Sequence, residues 1–378
     1  MDNLSSANTT FALDLFRTLA GTSASGNVFF SPLSISSALA MVYLGAKGNT
    51  ADQMAKVLCF NKAANVHLDF LTLSSDINKP ASSYLLKLAN RIYGEQTFNF
   101  LTEFLESTQK FYSADLVPLD FIGAVEESRK QINQWVEEQT ESKIKDLLKP
   151  GTVSAMTRLA LVNAIYFKGS WMHKFDEKQT QEMPFKISQN ESKPVQMMFQ
   201  MKKFPYNYIP EYNLQVLELP YQGMELSMFI LLPEESPDGS ALRKLEEVLT
   251  LEKIDSWTNR STMETSAEVR VHLPRFKLEE DYELNAPLGR LGMRDVFDGA
   301  RADLTGMNGE GGLFLSAVVH KAFVEVNEEG TEAAAATAGM VSFCMLLEEN
   351  FTADHPFLFF IRHNQSHSIL FLGRFASP

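Results

Sequence analysis

Histidine and cysteine are the side chains most able to do chemistry in this chain, and their spacing forms no catalytic or metal-binding motif. The seven histidines are scattered, and neither His-Glu-x-x-His nor Cys-x-x-Cys occurs, so the pattern of a zinc site is missing. The chain lacks the Gly-x-Ser-x-Gly turn of serine hydrolases, and its glycine-rich residues 306–312 lack the spacing of a nucleotide-binding loop. We therefore expect a protein that is not an enzyme and that carries no metal and no cofactor.

One segment, residues 327–339, fits no ordinary element of secondary structure. Its run of alanines favours a helix, because alanine has the highest helix propensity. The segment is also compatible with a strand whose side chains are kept small. One face of that strand would carry Thr331, Ala333, Ala335, Thr337 and Gly339, and the other would carry Glu332, Ala334, Ala336 and Ala338. The first face could then enter a crowded sheet with little steric or desolvation cost.

Helical patterns dominate the first part of the chain. Residues 11–19 carry apolar side chains at helical spacing. Ser31 followed by Pro32 is a helix start signal, and residues 50–53 (TADQ) form a capping-box pattern that opens another helix. An amphipathic helix is predicted over residues 132–148, ending at a Pro-Gly pair.

Strand patterns dominate the remainder of the chain, which predicts one α+β unit without a linker. Residues 159–167 are nearly all apolar, as in a strand buried on both faces. Further strands are predicted at residues 216–221, 226–232, 269–273 and 323–327, and a terminal hairpin at residues 356–362 and 368–375.

Composition and charge exclude several classes of partner. Hydrophobic residues make up 45% and charged residues 21% of the 378 residues, which is ordinary for a globular protein. The net charge of −13 disfavours nucleic acid, whose phosphates are also negative. No apolar run approaches the ~20 residues of a bilayer-spanning helix, and the first residues do not resemble a signal peptide. The chain has only two cysteines, far apart in sequence, which fits a reducing compartment. These features together predict a cytoplasmic protein that binds neither nucleic acid nor a membrane. Release of the protein from the cell is left open as an alternative.

Five stretches, taken together and in this order, resemble the serpin family over essentially the whole chain. They are residues 27–35 (NVFFSPLSI), 161–169 (LVNAIYFKG), 328–334 (EEGTEAA), 354–357 (DHPF) and 371–375 (FLGRF). The few cysteines and the two ends of the chain look like the ovalbumin-type, intracellular branch of that family.

The resemblance implies an α+β fold with three β-sheets, about nine helices and an exposed reactive loop from about Gly330 to Asn350. It also implies a single serpin domain over residues 1–378. A serine protease would attack the bait residue of the loop and form an acyl-enzyme, and the cleaved loop would insert as a new strand in the central sheet. This insertion would distort the protease before water could release it, so the expected function is suicide-substrate inhibition.

By family position the scissile bond joins Cys344 to Met345, and a cut between Phe343 and Cys344 is the alternative. Cysteine is small enough for an elastase-type pocket, whereas Phe343 fits a chymotrypsin-type pocket. No Lys or Arg lies between Lys321 and Arg362, so trypsin-like targets are not expected. The implied partners of the monomeric inhibitor are serine proteases: neutrophil elastase, cathepsin G, proteinase 3, and chymase or other chymotrypsin-like enzymes.

Three further groups of residues match the moving parts of the family. The hinge, where the loop begins, comprises Glu328, Glu329, Gly330, Thr331, Glu332, Ala333, Ala334, Ala335 and Ala336. The shutter, a polar cluster under the central sheet, comprises Ser31, Ser34, Asn163 and His320. The breach, where the loop first enters the sheet, comprises Trp171, Arg275 and Glu328, and we expect Arg275 and Glu328 to face each other. Each shutter and breach residue also has a plain structural role as a buried polar group or core aromatic.

The hinge composition separates an inhibitor from a non-inhibitory member of the family. Thr331 sits where the first inserted side chain turns into the sheet, and a charge there would be desolvated at a cost of roughly several kcal/mol. Threonine and the alanines match the inhibitory pattern, although Met340 and Val341 further along are bulkier. The alternative is a non-inhibitory serpin that acts as a binding or storage protein.

Overall fold

The computed structural model describes residues 3–23, 25–79, 83–236, 239–330 and 348–378. The shutter and breach residues lie inside these ranges, as do the first three hinge residues, Glu328, Glu329 and Gly330. The rest of the predicted hinge and the bait lie outside the described residues: Thr331, Glu332, Ala333, Ala334, Ala335, Ala336, Phe343, Cys344 and Met345.

Ten α-helices occur in the described part of the chain, six of them before residue 140. They are α1 (Asn3–Ala20), α2 (Pro32–Tyr43), α3 (Gly48–Val57), α4 (Val66–Ile77), α5 (Thr102–Tyr112), α6 (Val125–Gln139), α7 (Ala241–Val248), α8 (Leu251–Trp257), α9 (Asn285–Leu291) and α10 (Thr305–Asn308). Short 3-10 helices span Phe60–Lys62, Glu177–Gln179, Pro210–Tyr212 and Asp295–Phe297. Because α10 has only 4 residues, the set agrees with the expected number of about nine. No helix among the described residues is long and apolar enough to cross a bilayer.

The strands of the described residues form three sheets, which confirms the expected α+β class. In chain order they are β1 (Val28–Phe30), β2 (Tyr84–Glu95), β3 (Leu116–Leu119), β4 (Leu159–Gly169), β5 (Gln181–Ser188), β6 (Glu191–Lys203), β7 (Tyr206–Ile209), β8 (Leu214–Pro220), β9 (Leu226–Pro233), β10 (Glu268–Pro274), β11 (Phe276–Glu283), β12 (Leu315–Val326), β13 (Glu348–Thr352), β14 (Phe357–His363) and β15 (Ser368–Phe375). A six-stranded sheet has the order β1-β15-β14-β9-β8-β7, a four-stranded sheet β13-β10-β6-β5, and a five-stranded sheet β11-β12-β4-β2-β3.

The buried strand predicted at residues 159–167 and the predicted terminal hairpin are confirmed, and they occupy inner positions of two sheets. β4 is buried along nearly its whole length, as the apolar run over residues 159–167 indicated. The terminal hairpin is formed by β14 and β15, which pair antiparallel at the middle of the six-stranded sheet. Helices α1 and α2 pack against β15 and cover this sheet.

One face of the five-stranded sheet is covered by α6. Ile132 and Val136 of α6 belong to a separate apolar cluster with Tyr93 of β2, Val162 of β4 and Phe323 of β12. This cluster holds the helix over the sheet and leaves the larger core on the opposite face. The sheet therefore lies between two apolar layers.

The second helix begins where its residue types predicted. Ser31 is the N-cap of α2, and its hydroxyl accepts a hydrogen bond from the Ser34 N–H at 3.2 Å. Pro32 occupies the first helical position, where its missing N–H costs nothing. Residues 11–19 lie within α1, as their spacing indicated.

The capping box predicted at residues 50–53 is wrong. Helix α3 begins earlier, at Gly48, so these residues lie inside it. The Thr50 hydroxyl accepts a hydrogen bond from the Asp303 N–H at 3.0 Å, and the Gln53 side chain accepts from the backbone N–H groups of Arg294 and Asp295. The side chains that the local pattern assigned to the helix cap therefore form hydrogen bonds with residues far away in the chain.

The helix predicted over residues 132–148 is too long, because α6 ends at Gln139. Beyond it Glu141, Ser142 and Asp146 have positive φ, which a right-handed helix does not allow. Residues 144, 147 and 148 are nevertheless buried, so their apolar spacing reflected a packed irregular segment rather than a helix.

Candidate functional site at the seam between β4 and β12

β4 and β12 are hydrogen-bonded directly to each other at the centre of the five-stranded sheet, and they run parallel. Their register pairs Asn163 with His320 and Tyr166 with Phe323. The rings of Tyr166 and Phe323 meet edge to face, with 5.7 Å between their centroids. We call the line between these two strands the seam. An inserted strand would have to separate these pairs.

The four predicted shutter residues meet beneath the seam. The Ser31 N–H donates to Nε2 of His320 at 3.1 Å, and the Ser31 hydroxyl donates to the Leu370 carbonyl at 2.6 Å. The Asn163 amide donates to the hydroxyl and carbonyl oxygens of Ser34. The cluster therefore ties both strands of the seam to the start of α2 and to β15.

His320 is fully buried, and its surroundings favour the neutral ring. Because the Ser31 N–H donates to Nε2, the ring proton lies on Nδ1, which donates to Oδ1 of Asn163. Desolvation by burial lowers the pKa of His320 from 6.5 to about 3. Asn90 of β2 completes the cluster by accepting a hydrogen bond from the Asn163 amide.

Trp171 of the predicted breach follows β4 and holds the chain that leaves β12. Its backbone N–H donates to the Glu329 carbonyl at 2.9 Å, and its indole N–H donates to the Asn327 carbonyl at 3.0 Å. The indole stacks on Tyr221 with 4.6 Å between ring centroids, and both side chains are buried. Trp171 thus fastens the end of β4 to the end of β12.

The expected contact between Arg275 and Glu328 is present at the same end of the seam. Glu328 is 3% exposed and accepts hydrogen bonds from Arg275 at 3.1 and 2.5 Å and from the Thr180 hydroxyl at 2.6 Å. Desolvation raises the pKa of Glu328, but these hydrogen bonds outweigh it and hold that pKa below its ordinary value. Arg275 is 45% exposed, so one side of the pair remains in solvent. The role of the pair in loop insertion stays a prediction.

A tight turn reverses the chain at the end of β12. The Asn327 N–H donates to the Gly330 carbonyl at 3.0 Å, and the Gly330 N–H donates to the Asn327 carbonyl at 3.2 Å. Gly330 has a φ of +120°, and a Cβ there would lie 2.4 Å from the carbonyl oxygen of Gly169, so no larger residue fits. A bridge between Gly330 and Ser170 sets the chain against the end of β4. Gly330 therefore lies between the ends of the two seam strands.

The exposed loop expected from about Gly330 to Asn350 is too long at both of the ends that the structure describes. Gly330 is buried, and residues 348–350 belong to β13, which pairs in parallel with β10. The polar residues at the start of β13 suit an edge strand, where one side of the backbone faces solvent. Sequence polarity alone does not separate such a strand from a loop.

Three contributors to this site were not found from the sequence: Thr180, Asn90 and Lys174. Lys174 lies 2.5 Å from the Glu329 carboxylate, next to the Glu328 pair. All three are polar residues with ordinary sequence surroundings. Their roles come from hydrogen bonds and ion pairs to residues far away in the chain, for which no local signal exists.

Comparison with known proteins agrees with this arrangement. The family described as "Serpin (serine protease inhibitor)" matches residues 6–378. Leukocyte elastase inhibitor of Homo sapiens is 60% identical, and that of Xenopus tropicalis 55% identical, each alignment covering 100% of both chains. The crystal structure of uncleaved ovalbumin matches with a TM-score of 0.92 at 39% identity, and the match covers 100% of both chains. With the expected three sheets and a family match over nearly all of its length, the chain belongs to the serpin family, among members similar to the ovalbumin type.

Proposed function

We propose that the protein is a suicide-substrate inhibitor of elastase-like and chymotrypsin-like serine proteases. The main observation in support of this proposal is the seam. β4 and β12 are parallel neighbours there, and the chain leaves β12 through a turn that reaches the end of β4. The protease serine attacks the carbonyl of the bait residue, the peptide bond breaks, and the new amine takes the proton. The acyl-enzyme is then carried along as the cleaved loop inserts into the seam.

The geometry of the seam favours insertion energetically. A strand that follows β12 through a tight turn runs antiparallel to β12 and to β4. Insertion therefore replaces one parallel pairing by two antiparallel pairings, and parallel pairing is slightly less stable per residue. The new strand also gains ladder hydrogen bonds and buried area that it lacks outside the sheet. The uncleaved molecule is thus proposed to be trapped kinetically.

The proposed scissile bond joins Cys344 to Met345, with the bond after Phe343 as the alternative. The name of the relatives, leukocyte elastase inhibitor, supports an elastase-like target. More specifically, we propose that the inhibited proteases are neutrophil elastase, proteinase 3, cathepsin G, and chymase or other chymotrypsin-like enzymes. The non-inhibitory alternative, a binding or storage role, is not favoured, because the full-length relatives are named elastase inhibitors and the hinge residues are small.

We further propose that the protein acts as a monomer, as one domain over residues 1–378 and without enzymatic activity of its own. The proposed location is the cytoplasm, as the resemblance to the intracellular branch of the family implies.

Incubation with active proteases tests this function. Neutrophil elastase and chymotrypsin should each form an SDS-resistant complex at a near-equimolar ratio, whereas trypsin should not. Active-site-blocked elastase is the matched control and should give no covalent band. Cleavage of the loop by the active enzymes without any complex would favour the binding or storage alternative.

A further inference from the structure

The five-stranded sheet has an unpaired edge on its β11 side. Among the described residues only β12 pairs with β11, in an unbroken antiparallel register that runs from Phe276 opposite Val326 to Glu283 opposite Val319. The other side of β11 therefore presents backbone N–H and C=O groups that a strand of another molecule could bind. This sheet thus has two places where a strand could be added, the seam and the β11 edge.

The other edge strands of the described sheets are short or contain a proline. β1, β3, β7 and β13 have 3, 4, 4 and 5 residues, and short strands offer few groups to pair with. β5 has 8 residues, but Pro184 in its middle has no N–H to donate. β11 also has 8 residues, with neither a proline nor a bulge. The protection of this edge is therefore left to the side chains of β11.

Glu280 places a carboxylate on the apolar face of β11. The face that carries Phe276, Leu278 and Tyr282 packs against the larger core. Glu280 lies on the same face, because side chains alternate along a strand, and its partner on β12 is the fully buried Ala322. Glu280 is partly buried, and its carboxylate makes no ion pair or hydrogen bond with a residue that the structure describes.

This carboxylate is unfavourable for the folded monomer. Burial, and after it the like charges of Asp281 and Glu279, raise the pKa of Glu280, so its surroundings disfavour the charged form. A valine at the same position would continue the apolar face, and β-branched residues suit strands. Glu280 therefore does not serve the stability of the monomer. A charge that faces inward on an edge strand is, however, one of the devices that prevent pairing between sheet edges.

A second copy of β11 would meet like charges at this edge. The longest antiparallel pairing of two β11 strands that keeps their apolar faces on one side spans residues 277–283 and sets Glu280 opposite Glu280 of the second copy. In that pairing Glu279 and Asp281 oppose each other twice, and Lys277 opposite Glu283 is the favourable charge pair. Like charges directly opposite destabilise a strand pair. The added strand would also remove water from the Glu280 carboxylate without replacing its hydrogen bonds.

We propose that Glu280, together with Glu279 and Asp281, keeps the β11 edge from pairing with a second copy of this chain. The five-stranded sheet is then closed to added strands at this edge, and the seam is left as the place for a new strand. The three carboxylates act in the intact monomer whether or not the protein inhibits a protease.

Glu280→Val tests this role, because it continues the apolar face of the strand. In dilute solution the variant should unfold at a higher urea concentration than the parent, since a partly buried, unpaired carboxylate is gone. At higher concentration it should self-associate reversibly and about tenfold more tightly than the parent, which corresponds to ~1.4 kcal/mol. Sedimentation velocity over a concentration series measures this association. Glu268→Val is the matched control, because it makes the same change at a partly buried position of β10, which has a neighbouring strand on both sides. The control should sediment like the parent.

Glu280→Lys separates the charge from any specific contact of Glu280. A lysine also has to be desolvated when a strand is added, so this variant should sediment like the parent. Amide hydrogen exchange locates the association, because β11 amides that point away from β12 should be protected in concentrated Glu280→Val and not in a dilute sample. Association of Glu280→Lys as strong as that of Glu280→Val would overturn the proposal. A Glu280→Val protein that stays monomeric, is less stable than the parent, or associates without protecting β11 would contradict it as well.

Discussion

Glu328→Lys should weaken the end of the seam and make the protein polymerise on mild heating. The substitution removes the carboxylate that accepts three hydrogen bonds from Arg275 and Thr180, and it sets two cations side by side. Breaking a buried charge pair from one side typically costs 3–5 kcal/mol. Because Arg275 is 45% exposed and can turn towards water, we expect a loss of about 2–3 kcal/mol. A sheet opened at this point can accept the loop of a second molecule as a strand.

The charge-reversed double variant, Glu328→Lys with Arg275→Glu, should restore part of the resistance if the pair acts directly. Glu328→Gln is the matched control, because it keeps the size and some of the hydrogen bonding without the charge. Native gels after incubation at moderate temperature measure the polymer. Equal polymerisation of the single and double variants would refute the reasoning, since Glu328 would then act through Thr180 or through the backbone.

Three further predictions concern the hinge, the bait and the shutter. Thr331→Arg should turn the inhibitor into a substrate, because the guanidinium would have to be desolvated before deacylation; the loop should still be cut while the SDS-stable complex is lost, and unchanged inhibition would contradict insertion. Cys344→Arg should recruit trypsin-like proteases and weaken elastase inhibition, since the new side chain needs an acidic pocket. Mass spectrometry of the peptide released from the unchanged protein should show Met345 as its first residue, and a peptide that starts at Cys344 would move the bait to Phe343. The free energy of unfolding should fall by up to ~1.4 kcal/mol per pH unit below pH 6.5, because the unfolded chain binds a proton at His320 that the folded protein excludes until about pH 3. Urea unfolding of His320→Gln should lack this part of the pH dependence, and an identical slope in both proteins would assign it to other groups.

Strong local signals were enough to predict several elements. Ser31 and Pro32 predicted the start of α2 because neither needs a distant partner. The serine hydroxyl accepts a hydrogen bond from an N–H of the first helical turn, and the proline has no N–H that would be left unpaired there. The apolar run over residues 159–167 predicted β4 because a strand buried on both faces carries apolar side chains at nearly every position. The motif resemblance supplied what these local rules do not, namely the fold family and the expectation that Arg275 and Glu328 meet.

Local signals failed where a distant segment competed for the same side chains. Thr50 and Gln53 have the residue types of a capping box, but backbone N–H groups from elsewhere in the chain take their oxygens. The apolar spacing beyond Gln139 predicted a longer helix, yet residues with positive φ end it while the apolar side chains stay buried. A pattern of burial is compatible with more than one backbone path, and tertiary packing selects among them.

The sequence by itself therefore determined the family, the small side chains of the hinge and the start of several elements, because these depend on residue type and near neighbours. Only the tertiary structure decided that Glu328 accepts a hydrogen bond from Thr180 as well as from Arg275. It also placed Asn90 beside the shutter, where Asn90 accepts a hydrogen bond from Asn163. It also decided that Gly330 lies between the ends of β4 and β12. These contacts join residues separated by long stretches of chain, and their strength depends on burial and distance, which residue types alone do not specify.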